Sequence, residues 1–151
     1  MNALARLGMV SESPSENQAM SSVSPEPQKD YYIERDGVKY AGMHLIIDLW
    51  GASNLDQPDL IDQTLCEGAI AAGATILHHH FHHFEPNGGV SGVVVLAESH
   101  ISIHSWPERN YAALDVFMCG SADPDACIPV LREAFSAKRV GVNELLRGQH
   151  A

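Results

Sequence analysis

Hydrophobic positions along the chain fall into short runs of two kinds, one strand-like and one helix-like. Met43 to Trp50 (MHLIIDLW) is apolar and β-branched, which predicts a strand. Asn54, Asp56 and Pro58 then give a helix-start signal. Leu60, Ile61, Leu65, Ala69 and Ala72 fit one helical face, and Gly73 fits the stop. Thr75 to Phe84 predicts a second strand, and Pro86-Asn87-Gly88-Gly89 a loop, because Asn and Gly accept positive φ. Val90 to Ala97 is apolar almost throughout, so it predicts a buried strand. Ile101 to Trp106 alternates and predicts a short fourth strand, with Tyr111 to Cys119 a fifth. Asp123-Pro124 opens a helix running to about Phe135, and Arg139 to Leu145 suits a final strand.

The order is β-α-β-β-β-β-α-β. Hairpin-length links among the middle strands favour a mostly antiparallel sheet. Two helices on one face of it give an α+β, two-layer sandwich. The ordered domain begins near Tyr31 or Tyr40. Before it, Ser11 to Lys29 is rich in Ser, Pro, Glu and Gln, so residues 1–30 are expected to form a disordered tail and 31–151 the folded domain.

Length and charge narrow the function. A chain of 151 residues suits one core. A formal charge of −10 argues against a nucleic-acid partner, whose footprint on a protein is basic. No run approaches the ~18 apolar residues of a membrane span. The N-terminus lacks the basic region and apolar core of a secretory signal, and three cysteines show no metal spacing. A cytoplasmic protein with reduced thiols is therefore expected.

The chemistry concentrates in Leu96 to Glu108, followed by Cys119. A serine hydrolase places its nucleophile on a G-x-S-x-G elbow, and Ser99 has no glycine beside it. A cysteine hydrolase would pair Cys119 with a histidine, but no local motif supports it. A metal enzyme would draw on the run His78, His79, His80, His82 and His83. Strand residues two apart share a face but lie roughly 6.5–7 Å apart. That is wide for three converging ligands, and no Asp or Cys within the run completes a set, so no metal is expected.

A fourth chemistry that these residues could carry is self-processing. The Ser99 hydroxyl attacks the Glu98 carbonyl, turning the amide into an ester. Loss of the Ser99 α-proton expels the Glu98 carboxylate, and the dehydroalanine hydrolyses to a pyruvoyl group with release of ammonia. This needs a base near the α-carbon and a donor near the tetrahedral oxygen. A pyruvoyl group can form a Schiff base with an amine and accept electrons, as pyridoxal phosphate does.

The sequence here resembles a known family. Phe81 to Phe84, Gly88 to Val95, Ala97 to His104, Trp106-Pro107-Glu108 and Tyr111 to Gly120 are similar to the prokaryotic S-adenosylmethionine decarboxylase proenzymes. The resemblance runs from about Gly42 to Gly148. It implies cleavage between Glu98 and Ser99, leaving a β chain (1–98) and an α chain (99–151) that begins with pyruvoyl. It implies His104 as the base for the Ser99 α-proton and Ser91 as a residue that hydrogen-bonds the processing intermediate. Cys119 becomes the proton donor after decarboxylation, Phe84 the aromatic that stacks on adenine, and Glu108 the carboxylate that holds the ribose. The product would be the aminopropyl donor for spermidine synthesis. Alternatives are a pyruvoyl decarboxylase of ornithine or arginine, and an unprocessed binding homologue.

Reach suggests how the site is assembled. Ser91 and Ser99 lie eight residues apart, roughly 26 Å along an extended strand. Either the strand bends sharply or a second subunit supplies Ser91. The family is dimeric with sites at the interface, so Ser99 and Cys119 are expected from one protomer and Phe84, Ser91, His104 and Glu108 from the other. The sequence departs from the family pattern in places. The 86–89 loop looks one residue longer than in some members, Ser105 replaces a common threonine, and Arg109-Asn110 replaces a pair that often contains glycine.

Overall fold

The computed structural model describes residues 31–149, so the reading of 1–30 as a tail lies outside the described residues. The fold begins with a hairpin the strand patterns did not predict. Strands β1 (Ile33–Arg35) and β2 (Val38–Tyr40) pair as a separate two-stranded sheet. Asp36 and Gly37 make its turn at φ 52° and 77°, the left-handed pair that a two-residue hairpin requires.

Six antiparallel strands form the main sheet: β3 (Gly42–Trp50), β4 (Ile76–His83), β5 (Val90–Leu96), β6 (Ser99–Trp106), β7 (Tyr111–Met118) and β8 (Arg139–Arg147). Their order is β4-β5-β6-β7-β3-β8. Helices α1 (Pro58–Ala71) and α2 (Cys127–Ala134) complete the two-layer α+β sandwich. Pro58 opens α1, where its missing N–H costs nothing. The Asp123 side chain accepts the Asp125 N–H at 3.1 Å, starting a short 3₁₀ turn, Pro124–Ala126, that leads into α2.

Period-two alternation makes one face of the sheet apolar. Met43, Leu45, Ile47 and Leu49, then Ile101 and Ile103, then Ala112, Leu114, Val116 and Met118 are buried in the core beneath Ile61, Leu65, Cys127 and Leu131 of the helices. The intervening residues of β3, β6 and β7 lie on the opposite face: His44, Ile46 and Asp48; His100, Ser102 and His104; Ala113, Asp115 and Phe117. That outer face carries His104 and, paired with it, Ser91, whereas Ser99 falls in line with Ile101 and Ile103 at the end of the inner face.

Candidate active site

Ser99 opens β6 directly after a two-residue turn, Ala97-Glu98, that reverses the chain from β5. Glu98 holds φ 56°, a left-handed conformation that costs a non-glycine residue about 1–2 kcal/mol. The turn presents the Glu98 carbonyl to Cys119, at the end of β7. The Cys119 thiol donates to that carbonyl oxygen at 3.0 Å. Its sulfur lies 3.8 Å from Ser99 Oγ, and its backbone N–H donates to the same Oγ at 3.4 Å. A cleft of about 450 Å³ opens here, lined also by Tyr31, Thr75 and Ser121. A serine hydroxyl, the carbonyl of the preceding residue and a thiol donor to that carbonyl oxygen thus stand together.

A second cluster lies at the far end of the same hairpin. Ser91 pairs with His104 across β5 and β6, and Ser91 Oγ lies 2.8 Å from His104 Nδ1. Phe84, 45% exposed, lines this second cleft of about 520 Å³ with Ser91, His104 and Trp106. The Phe84 ring packs edge-on against His82 at 4.4 Å. Trp106 stacks on Tyr111 at 5.5 Å. The Tyr111 hydroxyl donates to Asp48 at 2.5 Å, and that bond, with burial, pushes its pKa up to about 12. Glu108 follows on the exposed 3₁₀ turn Pro107–Arg109. Asn110 closes this turn at φ 50°, supplying the left-handed residue for which glycine often serves.

Within one chain the clusters do not meet. Ser99 pairs with Leu96 and His104 with Ser91, five residues farther along β6. At 3.4 Å per residue the separation is about 17 Å. The 26 Å expected for an extended chain from Ser91 to Ser99 is therefore too long, because β5 ends at Leu96 and the chain turns back. The bend is sharp, yet it still leaves Ser91 and His104 out of reach of Ser99.

Two features escaped the sequence reading. Tyr31 reaches the Ser99 cleft because its carbonyl accepts the Gly120 N–H at 3.2 Å. Ser105 is buried, accepts the Val90 N–H at 2.9 Å and donates to the Leu55 carbonyl at 2.7 Å. Its hydroxyl ties the second cleft to the loop before α1 rather than facing a ligand.

The centre of the outer face carries a polar knot. Asp115 accepts from Ser102, from His44 Nε2 at 2.6 Å and from His100 Nε2 at 2.8 Å. Arg147 Nη1 lies 3.0 Å from His44 Nδ1 and can only donate, so His44 carries its proton on Nε2. Burial pushes the Asp115 carboxyl up, but the bonds from Ser102, His44 and His100 outweigh it and hold the group below its usual range. The nitrogen–oxygen distances are those of hydrogen bonds, and these bonds tie β3, β6 and β7 together across the outer face.

Comparison with known proteins identifies the arrangement. The family model described as S-adenosylmethionine decarboxylase matches residues 43–148. The S-adenosylmethionine decarboxylase proenzyme of Thermomicrobium roseum is 44% identical over 112 residues, covering 74% of this chain and 97% of that protein. That of Methanococcus maripaludis is 43% identical over 114 residues, covering 74% and 93%. A crystal structure of the adenosylmethionine decarboxylase from Aquifex aeolicus VF5 matches with a TM-score of 0.63 at 33% identity, over 72% of this chain and 92% of that one. No helix among the described residues is long and apolar enough to cross a membrane. With its six-stranded sheet, two covering helices and a match across nearly all of the described domain, the chain belongs to the S-adenosylmethionine decarboxylase family of enzymes.

Proposed function

We propose that the chain cuts itself between Glu98 and Ser99 and uses the resulting pyruvoyl group to decarboxylate S-adenosylmethionine, in a site completed by a second copy. The carrying observation is the Cys119 thiol 3.0 Å from the Glu98 carbonyl oxygen, beside the Ser99 hydroxyl. As Ser99 Oγ bonds to the Glu98 carbon, the carbonyl oxygen takes on negative charge. The Cys119 S–H is already aimed at that oxygen. The C–N bond then breaks, the nitrogen takes a proton, and an ester remains. Removal of the Ser99 α-proton forms the Cα=Cβ double bond, breaks the Cβ–Oγ bond and frees the Glu98 carboxylate. Water then displaces ammonia from the dehydroalanine.

The α-proton needs a base, and among the described residues no histidine lines the Ser99 cleft. A partner's copy of His104, oriented by Ser91 through the 2.8 Å contact, is that base. The two clefts therefore face one another across a homodimer. Ser99 and Cys119 come from one copy, and Phe84, Ser91, His104 and Glu108 from the other. The residues fit a pyruvoyl group, since its precursor serine directly follows a tight turn and lies beside a thiol donor. Once formed, the group supplies an electrophilic carbonyl that takes the substrate amine and accepts the electrons left by CO2. Cys119 stands to return a proton to the substrate carbon. Phe84 offers a face for adenine, and Glu108 a carboxylate for the ribose hydroxyls.

The product would be the aminopropyl donor of spermidine biosynthesis. Free cysteines at 66, 119 and 127 agree with a reducing cytoplasm. Release of CO2 from carboxyl-labelled S-adenosylmethionine, ornithine and arginine tests the substrate. Release from S-adenosylmethionine alone supports the proposal. Release from ornithine or arginine alone contradicts it, because those substrates need neither adenine stacking nor ribose contacts.

A further inference from the structure

We infer that Asp62, Cys66 and His79 form a site for one zinc-like divalent cation that joins helix α1 to edge strand β4. The histidine run by itself lacked an acid or a thiol, and α1 brings both to it. Asp62 and Cys66 are four residues apart, so they share one face of the helix. His79 meets them because β4 carries a bulge between Ile76 and His78. Regular alternation from Ile76 would turn His78 and His80 toward the helices. The extra residue turns His79 inward instead, opposite buried Val94.

The donor atoms lie within 4.8 Å of one another. His79 Nδ1 is 2.8 Å from Asp62 Oδ1, and Cys66 Sγ is 3.4 Å from the same oxygen. Bonds of about 2.0–2.3 Å to a tetrahedral ion put neighbouring ligands about 3.4 Å apart. The thiol and carboxylate already have that spacing, and the half-exposed imidazole needs to withdraw by about half an ångström. Solvent supplies a fourth ligand at the open side. A thiolate, an imidazole and a carboxylate favour zinc over magnesium or calcium, which take oxygen ligands. On binding, the Cys66 S–H bond breaks and its proton passes to solvent; His79 Nδ1, which donates to the Asp62 carboxylate in the metal-free cluster, releases its proton to solvent while Nε2 takes one up, so that a neutral imidazole ligates through Nδ1. The cation would replace a hydrogen-bonded cluster by three coordinate bonds across an edge strand that has one sheet neighbour.

Cobalt is the probe, because a thiolate–cobalt bond absorbs in the near ultraviolet. The full chain, reduced and freed of metal by a chelator, is titrated with cobalt and then zinc. One equivalent of cobalt should produce the band, and zinc should abolish it. Cys66→Ser and His79→Gln should each lose the band, whereas Cys119→Ser, Cys127→Ala and His80→Gln should keep it. In the unmutated chain, zinc should also slow alkylation of Cys66, mapped by peptide mass, so the test survives a variant that fails to fold. Absence of a band at saturating cobalt, its persistence in Cys66→Ser, or unchanged alkylation with zinc would overturn the assignment. The outcome does not depend on self-cleavage or on the substrate.

Discussion

Chains carrying Ser99→Ala and chains carrying His104→Ala, each unable to cut alone, are predicted to restore one another when produced together. Along β6 the two residues are about 17 Å apart, whereas proton transfer needs about 2.6–3.2 Å. In a mixed dimer one site joins an intact Ser99 to an intact His104, and the other site joins both defects. Random pairing at equal amounts makes about half the dimers mixed, with one complete site in each, so about a quarter of all sites cut. Only the His104→Ala chains should appear as fragments. Differently tagged copies, purified through both tags and weighed by mass spectrometry, read this out. Mixed dimers that remain as uncut as the parents would refute the shared site and require His104 to act within its own chain.

Other perturbations follow from single contacts. Cys119→Ala removes one neutral donor from the Glu98 carbonyl, worth about 1 kcal/mol, so self-cutting should slow by about tenfold at most, as timed on gels. Decarboxylation by the same variant should fall by about 10²–10⁴, the usual worth of a general acid; an undiminished rate removes Cys119 from that role. Gly92→Ala sets a Cβ 2.0 Å from the Phe81 ring, and urea unfolding should show a loss of about 1–3 kcal/mol. Asp115 is held below its usual pKa when folded, so its stabilising effect is present above the unfolded value near 3.9 and is lost as pH falls through the folded one. Asp115→Asn should therefore be less stable at neutral pH and show a shallower fall in urea midpoint below about pH 4; unchanged stability at both pH values would contradict the network's role.

Strands β3 and β7 were legible because Met43 to Trp50 and Tyr111 to Met118 are runs rich in apolar residues, and in the fold their burial alternates with period two. The burial of β4 and β8 shows no such alternation. The hairpin of β1 and β2 was missed, although Asp36-Gly37 between Ile33-Glu34-Arg35 and Val38-Lys39-Tyr40 is a strong turn signal. Three-residue strands give too little alternation to register. The motif around Ser99 was readable because its residues are close in sequence and similar to a known family. Distances were less readable. The reversal at Ala97-Glu98 depends on a left-handed glutamate, which no composition rule announces. Partnerships between distant segments were hidden for the same reason. His44 and Asp115 meet across β3 and β7, 71 residues apart, and His79 meets Asp62 only through helix packing and a strand bulge.

The central claim is that Ser99 is consumed to make the reactive group, and the intact mass of the purified full-length chain tests it most directly. Two fragments are predicted, separating between Glu98 and Ser99. The C-terminal one should be lighter by one ammonia than a fragment beginning with serine, and borohydride should add two hydrogens to its N-terminus. A single uncut mass in protein that releases CO2 from S-adenosylmethionine would contradict the account. So would a C-terminal fragment that begins with unaltered serine.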